Sequence, residues 1–165
     1  RRHFNTRYKN YLDWLPNTYV RNVLTNGTYR LFAMDSTNDV TSVRALTVRR
    51  NSRTNYWLEA RQLWTANTWV QNGVGIRWGQ TGNTTSMLLD MTPGSAEGKN
   101  DSPLLLGRTF SDRAAGVHLT TLAKGGTNPV WFDVAVRFGN PTNNTPPAVE
   151  VSGSSATVLS TGIVS

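Results

Sequence analysis

The chain contains no cysteine among its 165 residues. This absence excludes disulfide bonds, thiolate metal sites and cysteine nucleophiles together. It does not argue against export, because disulfides are optional in proteins outside the cell. A fold without them must be held by its hydrophobic core, by bound ions or by assembly with other chains.

Charged residues are also scarce, at 16% of the chain, against about a quarter in an average soluble protein. The net charge is nevertheless +7, and most of it comes from arginine. The arginines are spread along the chain, with no run longer than the pairs Arg1-Arg2 and Arg49-Arg50. Since a nucleic-acid footprint needs clustered cations, we interpret them as solvent-facing and expect no nucleic-acid partner.

Long apolar runs are absent as well. No segment reaches the roughly 20 apolar residues that a membrane-spanning helix needs, so no membrane span is predicted. No secretory leader is visible at Arg1, and we expect the chain to be a fragment of a longer precursor.

Catalytic motifs are missing too. His3 and His118 are the only histidines, and neither an HExxH zinc motif nor a GxSxG nucleophile elbow occurs. His118 lies in an alternating segment between Val117 and Leu119, which favours a strand histidine over a ligand. The sequence therefore predicts a chain that is not an enzyme.

What the chain does have is a series of short alternating segments separated by polar turns. The clearest is 131–138, where Phe132, Val134, Val136 and Phe138 share one face. The other strand candidates are 19–23, 28–34, 43–48, 55–63, 74–78, 87–90 and 117–123, with 104–106 and 109–110 as either strands or a turn. This spacing predicts an all-β fold, an antiparallel, jelly-roll-like β-sandwich of eight or nine strands.

One helix is expected, near the N-terminus. Tyr8, Tyr11, Leu12 and Leu15 fall at the spacing of one helical face, and Pro16 ends the pattern. The spacing predicts a short helix within residues 5–15.

The composition changes after Gly139. A Pro- and Asn-rich run leads into a segment rich in Ser, Thr and Gly, so we divide the chain into a β domain at 1–139 and a linker and tail at 140–165. The tail is the start of a truncated next domain, a segment that folds back on its own domain, or an extended segment that adds a strand to the open sheet edge of another copy. The apolar residues available for such assembly are Val149, Val151, Val158, Leu159, Ile163 and Val164.

Three carboxylates and several hydroxyl-bearing residues fall between positions 90 and 112. Asp90, Asp101 and Asp112 supply the hard oxygen ligands that calcium prefers, which makes a calcium loop one hypothesis. The alternative is that these residues cap turns, as Asp commonly does.

Tryptophan is abundant, with six in the chain. Trp57, Trp64, Trp69, Trp78 and Trp131 lie on or beside predicted strands. Core filling is the favoured interpretation, since large aromatics dominate sandwich cores. The alternative is that some are exposed and stack on sugar rings, which makes extracellular polysaccharide a possible partner.

The order of several motifs resembles a known family. His3-Phe4, Lys9 and Leu12-Asp13-Trp14-Leu15 resemble the H-F, K and L-G-W-L segment that follows the zinc site in secreted metallopeptidases of the gametolysin and immune inhibitor A type, with Asp13 in place of Gly. Further matching segments follow in the same order: Gly27-Thr28-Tyr29-Arg30-Leu31, Asn55-Tyr56-Trp57-Leu58-Glu59-Ala60-Arg61, Gly73-Val74-Gly75-Ile76-Arg77-Trp78, Leu88-Leu89-Asp90-Met91-Thr92-Pro93-Gly94-Ser95, Asp101-Ser102-Pro103-Leu104, Gly107-Arg108-Thr109-Phe110-Ser111-Asp112 and Gly116-Val117-His118-Leu119.

The resemblance implies an extracellular β domain that follows a peptidase domain in a precursor. The family's zinc helix and catalytic Glu lie upstream of these motifs and have no counterpart here, so peptidase activity is not implied. Three roles stay open. The chain is a structural or binding module that partners a peptidase domain, a subunit that assembles with copies of itself into an extracellular fibre or sheath, or a carbohydrate-binding module.

Overall fold

A computed structural model describes residues 4–38 and 42–140. The strands within these ranges are β1 (Val20–Val23), β2 (Gly27–Phe32), β3 (Ala45–Arg49), β4 (Thr54–Glu59), β5 (Gly73–Gln80), β6 (Met87–Leu89), β7 (Leu104–Leu105), β8 (Thr109–Asp112), β9 (Val117–Gly125) and β10 (Trp131–Phe138). The helices are α1 (Thr6–Tyr11) and three short 3-10 segments, Asn17–Tyr19, Thr68–Gln71 and Gly98–Asp101.

The strands form two sheets. The first has the order β1-β3-β4-β5-β6, and β7 also pairs with β5; the second has the order β2-β10-β9-β8. All pairs of strands are antiparallel except β1 with β3, which is parallel. The predicted all-β sandwich is confirmed, with ten strands where eight or nine were expected, because the short 104–106 and 109–110 segments both form strands.

The core lies between the two sheets and follows from the period of two in each strand. In β10, Phe132, Val134 and Val136 are fully buried, which confirms the face predicted from their alternation. They pack in one cluster with residues of the opposite sheet, including Leu58 and Ile76. The side chains between these positions point away from the core, onto the outer face of each sheet.

The N-terminal helix is shorter than predicted, and it buries different residues. It ends at Tyr11, and Asp13 then takes a φ of 57°, in the left-handed region that favours glycine. The expected apolar face is wrong, since Tyr11 and Leu12 are exposed. The helix instead buries Thr6 and Arg7, whose polar groups find partners on the first sheet.

The N-terminal segment covers part of the outer face of the first sheet. Leu15 packs with Ala45 and Trp57 in a second, smaller cluster. The guanidinium of Arg7 donates to the backbone carbonyls of residues 80, 83 and 85 and lies 5.7 Å from the centre of the Trp57 ring. Loops lie over the rest of this outer face, above parts of β5 and β6.

None of the helices in residues 4–38 and 42–140 is long and apolar enough to cross a membrane.

Candidate ligand-binding cleft

A cleft of about 460 Å³ lies on the outer face of the first sheet, beside the N-terminal segment. Its floor is made by neighbouring strands, with Glu59 from β4, Gly75 and Arg77 from β5, and Leu88 from β6. Its walls come from two loops that contribute Arg61, Trp64, Ala66, Asn67 and Val70 on one side and Lys99, Asn100, Ser102 and Pro103 on the other. This volume is in the usual range for small-ligand sites.

The floor follows from strand alternation. Leu58 and Ile76 point into the core, so Glu59, Gly75 and Arg77 must point outward. Gly75 stands directly opposite Glu59, where a Cβ would lie 3.3 Å from the Cγ of Glu59. Its missing side chain therefore keeps the floor open above the carboxylate.

Glu59 is buried, and both of its carboxylate oxygens have donors. Oε2 accepts from the backbone N–H of Thr6 at 2.8 Å and from its hydroxyl at 3.2 Å. Oε1 accepts from Nη2 of Arg61 at 3.2 Å and from Nε of Arg77 at 3.5 Å. These contacts join α1, β4, β5 and the loop after β4 at one carboxylate.

The surroundings of Glu59 act on its pKa in opposite directions. Burial raises the pKa because it disfavours the charged form, while the charges of Arg61 and Arg77 and the N–H of Thr6 lower it. The net direction is downward, so the side chain is ionised at neutral pH. An ionised carboxylate with four donors is a weak proton acceptor and serves mainly to hold the two guanidinium groups in place.

The cleft has an excess of positive charge. Arg61, Arg77 and Lys99 are set against the single carboxylate of Glu59 in its lining. Arg61 is buried and its guanidinium lies 4.4 Å from the centre of the Trp64 ring, a cation–π contact that fixes both groups. Because these cations converge in a concave site, the cleft attracts anionic ligands.

The same cleft also has apolar lining residues. Trp64 is half-buried, and it lines the cleft with Val70, Leu88 and Pro103. A ligand that combines an anionic group with an apolar face therefore matches the lining better than a compact inorganic ion does.

Two carboxylates of the predicted calcium loop shape its turns. Asp90 Oδ1 accepts from the backbone N–H of Thr92 at 3.0 Å and from its hydroxyl at 3.1 Å. Asp101 Oδ1 accepts from the hydroxyl of Ser95 at 2.9 Å. Both contacts are the kind that Asp makes when it caps a turn, which was the alternative to a calcium loop.

The third carboxylate, Asp112, is bound elsewhere. It accepts from Nε of Arg50 at 3.0 Å, from the hydroxyl of Tyr56 at 2.5 Å and from the N–H of Ala115 at 3.1 Å. Mainly through the Tyr56 hydrogen bond, its pKa falls to about 2. Asp90, Asp101 and Asp112 therefore do not converge, and within residues 4–38 and 42–140 no group of three or more His, Asp or Glu side chains is placed to hold a metal ion.

His118 has hydrogen-bond partners at both ring nitrogens. Nδ1 lies 2.9 Å from the hydroxyl of Ser111 and Nε2 lies 3.0 Å from the carbonyl oxygen of Gly139. It is a strand histidine, as predicted. His3 and the six proposed assembly residues, Val149, Val151, Val158, Leu159, Ile163 and Val164, lie outside the described residues.

The tryptophans divide between core and surface. Trp57 is buried and Trp78 packs against the main core, as core filling predicts. Trp69 is 42% exposed, and Trp131 lies under the guanidinium of Arg30 at 3.6 Å. Trp64 lines the cleft, so core filling does not describe the whole set.

Sequence reasoning placed Arg61 and Arg77 in resemblance motifs but did not single out Arg61, Arg77 or Lys99 as site residues. A partial signal existed, because alternation over 55–63 places Trp57, Glu59 and Arg61 on the face opposite Tyr56 and Leu58. Nothing in the sequence signalled that the loop carrying Lys99 folds over the same face.

Comparisons with family models, with curated protein sequences and with solved structures find no match for this chain.

Proposed function

We propose that this chain is a non-catalytic, extracellular β-sandwich module that binds a ligand in the cleft over Glu59. The observation that carries the proposal is the arrangement of Arg61 and Arg77 around one buried carboxylate, beside Trp64. The guanidinium groups are ordered before any ligand arrives, so binding costs little side-chain entropy. Glu59 is ionised and occupied by donors, which favours binding over acid–base chemistry at this site.

The sequence resemblance supports the biological setting of this module. Its motifs resemble the β domain that follows the catalytic domain in secreted zinc metallopeptidases, and such a module acts by holding a substrate or a surface near the peptidase. The absence of cysteine is compatible with this location, because the two-sheet core of the described residues is extensive.

The experiment that tests this function is a screen of the chain on arrays of glycans and peptides. Each ligand found is remeasured with Arg77→Gln and Trp64→Ala, which alter the cleft, and with Arg137→Gln as the matched control. Arg137 is exposed on β10, in the other sheet. The proposal expects at least one ligand that both cleft variants lose and the control keeps. If every ligand is retained by the cleft variants, or none binds at all, the proposal is wrong.

A second candidate function is assembly with copies of this chain into a fibre or sheath. One observation favours it: β6 and β8 are terminal strands of their sheets, and Leu89, Phe110 and Ser111 line an open groove between them. The described chain ends beside this groove, since the carbonyl of Gly139 contacts His118, which in turn contacts Ser111. Terminal strands have unpaired backbone groups to which another chain can add a strand.

Sedimentation and electron microscopy at micromolar concentration separate the two functions. Assembly through the tail expects filaments from the full chain and monomers from a chain that lacks residues 148–165. Filaments from the shortened chain would show that the tail is not the contact. A monomeric full chain would remove assembly as the function.

A further inference from the structure

We infer that the cleft recognises a sugar residue carrying a carboxylate, such as a hexuronate unit of an acidic polysaccharide. This inference rests on the proposed function, because it names the ligand class of the same cleft. It is carried by three features of the lining: the unmatched cations, the apolar side chains, and the position of the cleft on a sheet face.

The first feature is the donor capacity left in the cleft. Arg77 contacts Glu59 through Nε at 3.5 Å, and neither terminal nitrogen of Arg77 has a hydrogen-bond partner among the described residues. Lys99 is exposed at the rim and has no ion-pair partner in the same part of the chain. A planar guanidinium and an ammonium group in one cleft suit a carboxylate, which accepts bidentate hydrogen bonds. A neutral sugar would leave these charges unmatched.

The second feature is the set of apolar side chains that line the cleft together with the cations. Trp64, Val70 and Pro103 present a surface that a free inorganic anion would not use. The C–H face of a pyranose ring packs on such a surface, and aromatic side chains contribute the largest contact area. Carboxylate and ring together fill both parts of the lining.

The third feature decides between a sugar and an acidic peptide. Peptides that bind sheets commonly add a strand to an open edge through backbone hydrogen bonds. Here the floor lies in the interior of a sheet, where β5 is paired with β4 on one side and with β6 and β7 on the other. Ligand contacts must therefore come from side chains, which favours a compact ring over an extended backbone.

The test is calorimetric titration of the whole chain with three matched probes. These are a galacturonate tetramer, the same tetramer with its carboxylates methyl-esterified, and a tetramer of glutamate. The inference expects the galacturonate tetramer to bind and esterification to weaken binding at least tenfold. Arg77→Gln and Lys99→Gln should each weaken it about tenfold to a hundredfold, the range for one lost hydrogen bond to a charged group. Arg137→Gln should bind as the wild type does.

Lys99 is exposed, so its variant tests binding without disturbing the fold. Equal weakening by Arg137→Gln would mean diffuse attraction by the net charge of +7 and would overturn the inference. Equal binding of the esterified tetramer would overturn the carboxylate requirement and leave the proposed function standing. Equal or tighter binding of the glutamate tetramer would make the ligand a peptide. If no probe binds but the array yields another cleft-dependent ligand, only this inference falls; if neither experiment yields one, both fall.

Discussion

Replacing Glu59 with glutamine should destabilise the whole sandwich, because this residue is the common partner of two buried or half-buried guanidinium groups. Glutamine keeps the size of the side chain and can still accept from the N–H of Thr6. It cannot neutralise Arg61 and Arg77, which are 7% and 20% exposed at their side chains. The substitution thus leaves cationic charge without its counterion in a site of low polarity.

The expected size of the effect follows from that burial. Removing one partner of a buried ion pair costs about 3–5 kcal/mol, and the partial exposure of Arg77 places this site at the lower end. We therefore expect Glu59→Gln to lower the free energy of unfolding by about 3 kcal/mol. In the wild type, Glu59 stabilises the fold only while its side chain is ionised. Since the folded-state pKa is lowered, this stability is present above the ordinary glutamate pKa and is lost as the pH falls through the folded value.

The assay is urea unfolding at pH 7, followed by tryptophan fluorescence, with the midpoint and the denaturant slope fitted together. Glu97→Gln is the matched control, because Glu97 is exposed and its side chain makes no cap hydrogen bond. The control should stay within about 0.5 kcal/mol of the wild type. If Glu59→Gln also stays within that limit, Glu59 does not organise the arginines and the account of the cleft is refuted.

Three further substitutions test the fold around the cleft. In Gly79→Ala, the new Cβ would overlap the side chain of Arg7 and the carbonyl oxygen of Thr85, so we expect a loss of about 1–3 kcal/mol in chemical denaturation. Asp13→Gly relieves a φ of 57° and should raise the thermal midpoint, with a gain of about 1 kcal/mol; an unchanged midpoint would contradict the strain. Asp112→Asn should reduce the loss of folding stability between pH 4 and pH 2. In the wild type, the lowering of the Asp112 pKa to about 2 corresponds to at most about 2 kcal/mol of stability, which is lost over that range as the carboxylate is protonated.

The sequence predicts the strands well and the helix poorly, for a physical reason. Alternation reports burial directly, so Phe132, Val134 and Val136 were assigned to the core from their spacing alone. The helix buries Thr6 and Arg7, whose partners are a distant carboxylate and three backbone carbonyls. Apolar periodicity carries no information about such polar docking.

The candidate site shows the same limit more strongly. Alternation along β4 predicts that Glu59 lies on the outer face of the first sheet. Alternation along the neighbouring strand β5 places Arg77 on the same face. The approach of Lys99 depends on how a long loop packs across the sheet, which local patterns do not encode. The three carboxylates of the calcium hypothesis do not form one group among the described residues, and Asp112 instead accepts from Arg50, a residue 62 positions earlier.

The measurement that tests the central claim most directly is a map of amide and indole chemical-shift changes when the galacturonate tetramer is added to isotopically labelled protein. The account predicts that the largest changes fall on the indole N–H of Trp64 and on the amides around Arg77 and Lys99, and that Arg77→Gln shifts their titration to at least tenfold higher ligand concentration. Changes centred on the groove between β6 and β8, or no changes at saturating ligand, would contradict it.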